Sequence, residues 1–280
     1  MKMGLGFYPN IYNDDALSFA KQIGVSHIMI HIPSAEMLPS AKDGYWSYED
    51  LRALVEQVEG HGLKLEALEN YEPAHWHHIL KEGTRRQEQK QNLKSTIRNM
   101  GKAGIPVMGY NFSLAAVAGR KMLPYARGGA ISPVYDKAAD ENFDKPLPNG
   151  FVWGRQVEEA EGDMGDVSLE EMWDRYDWFM DRILPVAEEA GVKMAIHPDD
   201  PPVPVMRRVN RLMVSVDRYD ENFRRHPSEN NMVEFCQGTF TEMPFGQDYV
   251  YDAIDHFTKM DKIAYVHFRN VRGKLPRYYE

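Results

Sequence analysis

Strand-length apolar runs alternate with longer helix-patterned stretches along this chain, and that alternation leaves few architectures open. The runs are Met3–Tyr8, His27–Ile32, Leu63–Glu69, Val107–Phe112, Met194–His197, Val233–Cys236 and Ile263–Phe268. Most are rich in apolar residues, as strands of a parallel sheet covered on both faces must be. Leu63–Glu69 is the exception, because Lys64 and Glu66 interrupt it. Helical patterns occupy Asp14–Ile23, Ser47–Glu59, Arg85–Lys102, Ser168–Ala190 and Gln247–Met260. Ser-Tyr-Glu-Asp opens the second of these and Ser-Leu-Glu-Glu the fourth, both plausible helix starts. The joints Gln-Ile-Gly-Val, Lys-Ala-Gly-Ile and Glu-Ala-Gly-Val each put glycine at a helix C-terminus, where a left-handed residue is needed.

Repeated strand-then-helix units imply an α/β fold with a parallel sheet and right-handed crossovers. The expected architecture is a (β/α)8 TIM barrel, read as one domain over residues 1–280. Seven strands are identified, and the eighth β/α unit is not visible. A doubly wound open sheet is the rival, but its glycine-rich phosphate turn is missing after the first strand, where the chain reads Tyr-Pro-Asn-Ile-Tyr. A long insertion falls at about 113–167, with Gly128-Gly129, Pro146-Leu147-Pro148-Asn149-Gly150 and Phe151-Val152-Trp153-Gly154. Such a segment is either a flap over the strand ends or a peripheral, oligomer-forming excursion.

The net charge of −9 argues against general nucleic-acid binding, since no basic excess is present to neutralise phosphates. A single cysteine excludes an internal disulfide and fits a reducing compartment. No apolar run approaches the roughly 20 residues that span a bilayer, and the N-terminus is broken by Pro9 too soon for a signal peptide. A soluble cytoplasmic protein is expected, with no membrane partner.

Three of the apolar runs end in metal-ligand chemistry: His197, Cys236 and His267. On parallel strands of a barrel, C-terminal ends face the active site, and a thiolate with two imidazoles suits a divalent transition metal such as zinc or manganese. One or more oxygen ligands would complete the set. Taken singly, a buried cysteine is usually a small core residue and a strand histidine usually only hydrogen-bonded; their matching positions favour a site. Asp199 and Asp200 follow His197 in a proline-stiffened turn, as bases, as orienting partners of an imidazole, or as turn residues alone. Gln237 and Gly238 follow Cys236, glycine allowing close backbone approach. Arg269, after His267, is either a carboxylate clamp or a rim ion pair. His31, Glu69, Asn70, Tyr110 and Asn111 lie at earlier strand ends, where pocket and rim roles are both open. His75, His77 and His78 resemble a metal cluster but are expected to be solvated surface residues.

The segments His-Pro-Asp-Asp-Pro-Pro (197–202), Phe-Cys-Gln-Gly-Thr (235–239), Val-His-Phe-Arg-Asn-Val-Arg-Gly (266–273) and Gly-Tyr-Asn-Phe (109–112) resemble the mannonate dehydratase family, within the xylose-isomerase-like barrels. The resemblance implies dehydration of D-mannonate to 2-keto-3-deoxy-D-gluconate with a divalent metal, typically Mn2+. It implies His197, Cys236 and His267 as metal ligands, with Arg269 and Asn270 in the substrate site. The resulting expectation gives catalytic roles to Asp199, Asp200 and Arg269, and substrate contacts to His31, Tyr110, Asn111, Gln237 and Asn270. The alternatives are a related metal-dependent sugar isomerase or epimerase, and a truncated inactive homologue that only binds a ligand or partner. Exposed strand edges lead to the further expectation of a homo-oligomer.

Overall fold

The computed structural model describes residues 2–280. It divides into two compact units, Met1–Tyr110 with Phe179–Ala195, and Asn111–Trp178 with Ile196–Glu280.

The first unit carries β1 (Gly4–Phe7), α1 (Asp14–Gln22), β2 (His27–His31), α2 (Tyr48–Gly60), β3 (Lys64–Glu69), a short α3 (His77–Lys81), α4 (Arg86–Ala103) and β4 (Val107–Tyr110). After the long α5 (Leu169–Ala190) comes β5 (Lys193–Ile196). The strands are neighbours in chain order, and β1 to β4 pair in parallel. Helix starts follow their capping residues. Ser47 accepts from Asp50 N, and Ser168 and Glu171 form a reciprocal box at α5. The three glycine joints turn as expected, with φ of +88° at Gly24, +83° at Gly104 and +67° at Gly191. Lys64 and Glu66 do not prevent β3. They sit at its start, where Lys2 reaches the Glu66 carboxylate, while Leu65, Ala67 and Leu68 are buried.

His75, His77 and His78 depart from expectation: all three are buried rather than solvated. Trp76, Ile79 and Leu80 draw this short segment into the core. Two of the rings bond to backbone carbonyls, His75 Nε2 on Ala41 at 2.8 Å and His77 Nδ1 on Ala74 at 3.1 Å.

The second unit carries α6 (Val216–Arg225), β6 (Asn231–Cys236), α7 (Gln237–Glu242), α8 (Tyr249–Lys259) and β7 (Ile263–His267). Strands β6 and β7 are parallel, and their register pairs Cys236 with His267. Every residue of β6 is buried. Its outer side packs through Phe235 on Phe240, stacked at 4.4 Å between centroids, with Tyr219 and Phe257 beside them. β7 was expected to be covered on both faces but is not. It is last in the strand order, and Val266 and Phe268 are exposed.

The long insertion is built, not loose. Arg120–Leu123 and Ser132–Asp136 form an antiparallel pair that the C-terminal hairpin Arg272–Lys274 and Arg277–Tyr279 extends into four strands. Tyr278 pairs with Tyr135 in register, and their rings stack at 5.3 Å. This small sheet carries Arg120 and Glu280 into one cluster.

Candidate metal centre

His197 follows the last residue of β5, Cys236 ends β6 and His267 ends β7. One ligand atom from each lies within 4.8 Å of the others. His197 Nδ1 donates to the Pro198 carbonyl at 2.6 Å, which leaves Nε2 to face inward. Burial alone would raise the Cys236 thiol, but His197, His267 and Arg269 hold it well below the ordinary thiol range. Burial likewise pulls His197 down, yet Glu234 and Cys236 push it up to about 9. The triad therefore already favours a thiolate, the form in which cysteine binds metal. This soft-plus-imidazole donor set fits a divalent transition ion.

Glu234 supplies an oxygen that the sequence reading passed over. It is wholly buried in β6, with Oε1 3.2 Å from His267 Nε2 and 4.0 Å from His197 Nε2. The signal was present: residues two apart on a strand share a face, so Glu234 must stand beside Cys236.

A second cluster adjoins the thiol. Arg269 Nε lies 3.4 Å from Cys236 Sγ, and its Nη2 donates to Asp200 Oδ2 at 2.8 Å. Arg120 donates to the same Asp200 oxygen, and Tyr278 donates its hydroxyl to Asp200 Oδ1 at 3.0 Å. Thr239 Oγ1 stands 3.2 Å from both Asp200 Oδ2 and Cys236 Sγ. Burial opposes ionisation of Asp200, but Arg120 and Arg269 hold it down to about 2. Gly238 makes this possible. A Cβ there would sit 2.6 Å from Arg269 Cζ and 2.7 Å from its Cγ.

Glu242, wholly buried at the end of α7, lies 2.9 Å from Arg269 Nη1. Burial, joined by Asp200, nevertheless pushes it up to about 8 against the pull of both arginines. A carboxyl raised on folding stabilises fully below its unfolded value, near 4.5, and loses that contribution as pH rises through about 8. Wild-type protein is therefore expected to lose thermal stability relative to Glu242→Gln as pH rises from 4.5 to 8. Melting curves of both proteins across that range check this; curves that stay parallel would remove the assignment.

The other expected site residues are distributed as follows. Asp199 is buried, with Oδ1 taking Arg211 Nε and Oδ2 taking Met213 N, each at 2.9 Å. Asn111 Nδ2 reaches the carbonyls of His197 and Pro198 at 3.4 Å. Gln237 opens α7 half-buried, and Asn270 is exposed, its Oδ1 accepting from Val271 N. His31 and Tyr110 belong to the first unit. There His31 Nδ1 pairs with Glu69 at 2.8 Å, and the fully buried Tyr110 directs its hydroxyl to Met180 Sδ.

Parallel strands alternating with helices, with this polar cluster at strand C-terminal ends, are the arrangement of a TIM-barrel-type α/β enzyme. The fold is shared with a D-psicose 3-epimerase crystal structure, at TM-score 0.58 and 12% identity over 95% of this chain and 72% of that one. The chain belongs to the D-mannonate dehydratase (UxuA) family, whose model matches residues 1–280. It is 30% identical to the mannonate dehydratase of Thermotoga maritima over 296 aligned positions, covering 97% of this chain and 78% of that protein. The mannonate dehydratase of Geobacillus thermodenitrificans is 29% identical, over 97% of this chain and 75% of its own. The crystal structure of mannonate dehydratase from Streptococcus suis serotype 2 superposes with TM-score 0.81 at 26% identity, over all of this chain and 76% of that one. Among the described residues, no helix is long and apolar enough to cross a membrane.

Proposed function

We propose that this chain is a hydro-lyase that dehydrates D-mannonate to 2-keto-3-deoxy-D-gluconate with a divalent metal, manganese by preference. The observation that carries the reading is Arg269 standing between the Cys236 thiol and the buried Asp200 carboxylate, in a chain of this family. His197, Cys236 and His267 would hold the metal, with Glu234 an oxygen donor within reach. Bound there, the ion supplies Lewis acidity toward the oxygens of a sugar acid. Arg269 binds the substrate carboxylate, and Asp200 fixes the guanidinium in place. Loss of the C2 proton and the C3 hydroxyl as water leaves an enol that becomes the ketone. Asn111, Gln237, Asn270, His31 and Tyr110 remain proposed substrate contacts. For Asp199, whose oxygens are both taken, the proposed role is to hold the turn that carries Asp200.

An inward-facing arginine favours an acid substrate over the neutral sugars of an isomerase or epimerase. The test is an assay on D-mannonate with chelated protein, before and after Mn2+ is restored. Formation of the keto-deoxy acid only with metal is expected; no product with any divalent ion would end the proposal. A Gly238→Ala variant should displace Arg269 and raise KM for D-mannonate about tenfold or more, with far-UV dichroism unchanged. A KM equal to wild type would mean that Arg269 is not the anchor.

The same reading takes residues 1–280 as one barrel domain with seven β/α units, with the insertion at about 113–167, working in the cytoplasm. The superposition over the whole chain supports it. It also includes self-association, because β7 ends the strand order with Val266 and Phe268 exposed. Sedimentation of a monomer at all concentrations would remove that element.

A further inference from the structure

We infer that Arg120 is the second arm of the seat for the substrate carboxylate, and that the Glu280 side chain occupies that seat until substrate displaces it. This rests on the reading above. The geometry is specific. Arg120 Nη1 and Arg269 Nη1, from separate elements, converge on a single oxygen, Glu280 Oε1, at 2.8 and 2.6 Å. The other terminal nitrogen of each arginine is already committed to Asp200 Oδ2. One face of the guanidinium pair is thus anchored, and the other presents donors to an anion.

Of the three carboxyl groups on this pair, Glu242 is wholly buried against Arg269 Nη1 at 2.9 Å, and the other two are not equivalent. Asp200 is 3% exposed in its side chain and receives Arg120, Arg269, Thr239 and Tyr278. Glu280 is 22% exposed, and among the described residues its carboxylate pairs with the two arginines alone. Its main chain is held separately, by Glu280 N on the Pro133 carbonyl at 3.1 Å, so the side chain can swing out without moving the strand. Removing Glu280 from the pair would leave two guanidinium ions against the buried Asp200 anion and Glu242, whose buried carboxyl is pushed up to about 8 and so favours its neutral form at pH 7. A sugar-acid carboxylate restores the balance, whereas a neutral sugar hydroxyl does not. Arg269 also touches Cys236 Sγ, so an acid seated here lies beside the proposed metal ligands.

Two substitutions with opposite expected signs test this. Glu280→Gln keeps the size and removes the competing charge; KM for D-mannonate should fall roughly 3- to 10-fold. Arg120→Gln should raise KM about 10- to 100-fold with a smaller change in kcat. General damage cannot produce the gain. Calorimetric binding of 2-keto-3-deoxy-D-gluconate, a carboxylate that is not turned over, should show the same opposite shifts in Kd. If Glu280→Gln leaves binding unchanged or weaker, Glu280 is a fixed ion-pair partner and the inference is overturned. It is equally overturned if Arg120→Gln binds as wild type does, or if no protein binds the product acid. Failure of D-mannonate turnover with the binding shifts intact would instead strike the proposed reaction and leave the carboxylate seat standing.

Discussion

Cys236→Ser protein is expected to lose most of its bound divalent metal and to fall in D-mannonate turnover by on the order of 10³-fold. The substitution keeps the volume of a wholly buried side chain, so the fold should survive. What it removes is the anion. A serine hydroxyl does not ionise at neutral pH, so His197 and His267 keep only the Glu234 carboxylate as a charged donor within reach. Arg269 Nε also loses the sulfur it faces at 3.4 Å. Elemental analysis of metal per chain, steady-state kinetics and a thermal melt separate the effects. Full metal content with normal turnover would sink the assignment of this triad.

The largest stability effect is expected at Arg211, which is far from a catalytic role. Its side chain is 1% exposed and spans the unit's loops: Nε to Asp199 Oδ1 at 2.9 Å, Nη1 to the Pro201 carbonyl at 3.0 Å, and Nη2 to the Ala116 carbonyl at 2.6 Å. Arg211→Met leaves the Asp199 carboxylate buried and without its cation, at a cost of about 3–5 kcal/mol. Melting should drop by roughly 6–20 °C. Arg211→Met combined with Asp199→Leu should recover part of the loss, because the stranded charge is gone. A single variant melting within a degree or two of wild type would show that the pair is not holding this turn.

The strand-and-helix order and the convergence of His197, Cys236 and His267 were legible because both depend on local pattern. Apolar runs of strand length located all seven strands of the larger sheet, and glycine after a helix located the joints. Parallel pairing then carried the candidate site: side chains at the ends of neighbouring strands fall into register, as Cys236 and His267 do. Glu234 was readable by the same period of two, but a carboxylate within an apolar run looks like an interruption rather than a donor. The histidines at 75, 77 and 78 were misread because a polar segment predicts exposure, while their burial follows from Trp76, Ile79 and Leu80 seeking the core. Asp199 and Asp200 are adjacent and chemically identical in sequence. Their partners separate them, Arg211 for the first, Arg120 and Arg269 for the second.

From the amino-acid order alone come the strand-and-helix alternation, the turn glycines, the helix caps and the convergence of His197, Cys236 and His267, since each is set by short-range periodicity or by the ends of successive strands. The tertiary structure alone decides that Arg120, 80 residues from Asp200, shares its carboxylate with Arg269, and that Tyr278 and Glu280 close the cluster. Those contacts depend on the insertion folding into a sheet with the C-terminal hairpin. Antiparallel pairing across such a separation leaves no periodic trace along the chain, because its register is chosen by packing and charge in three dimensions.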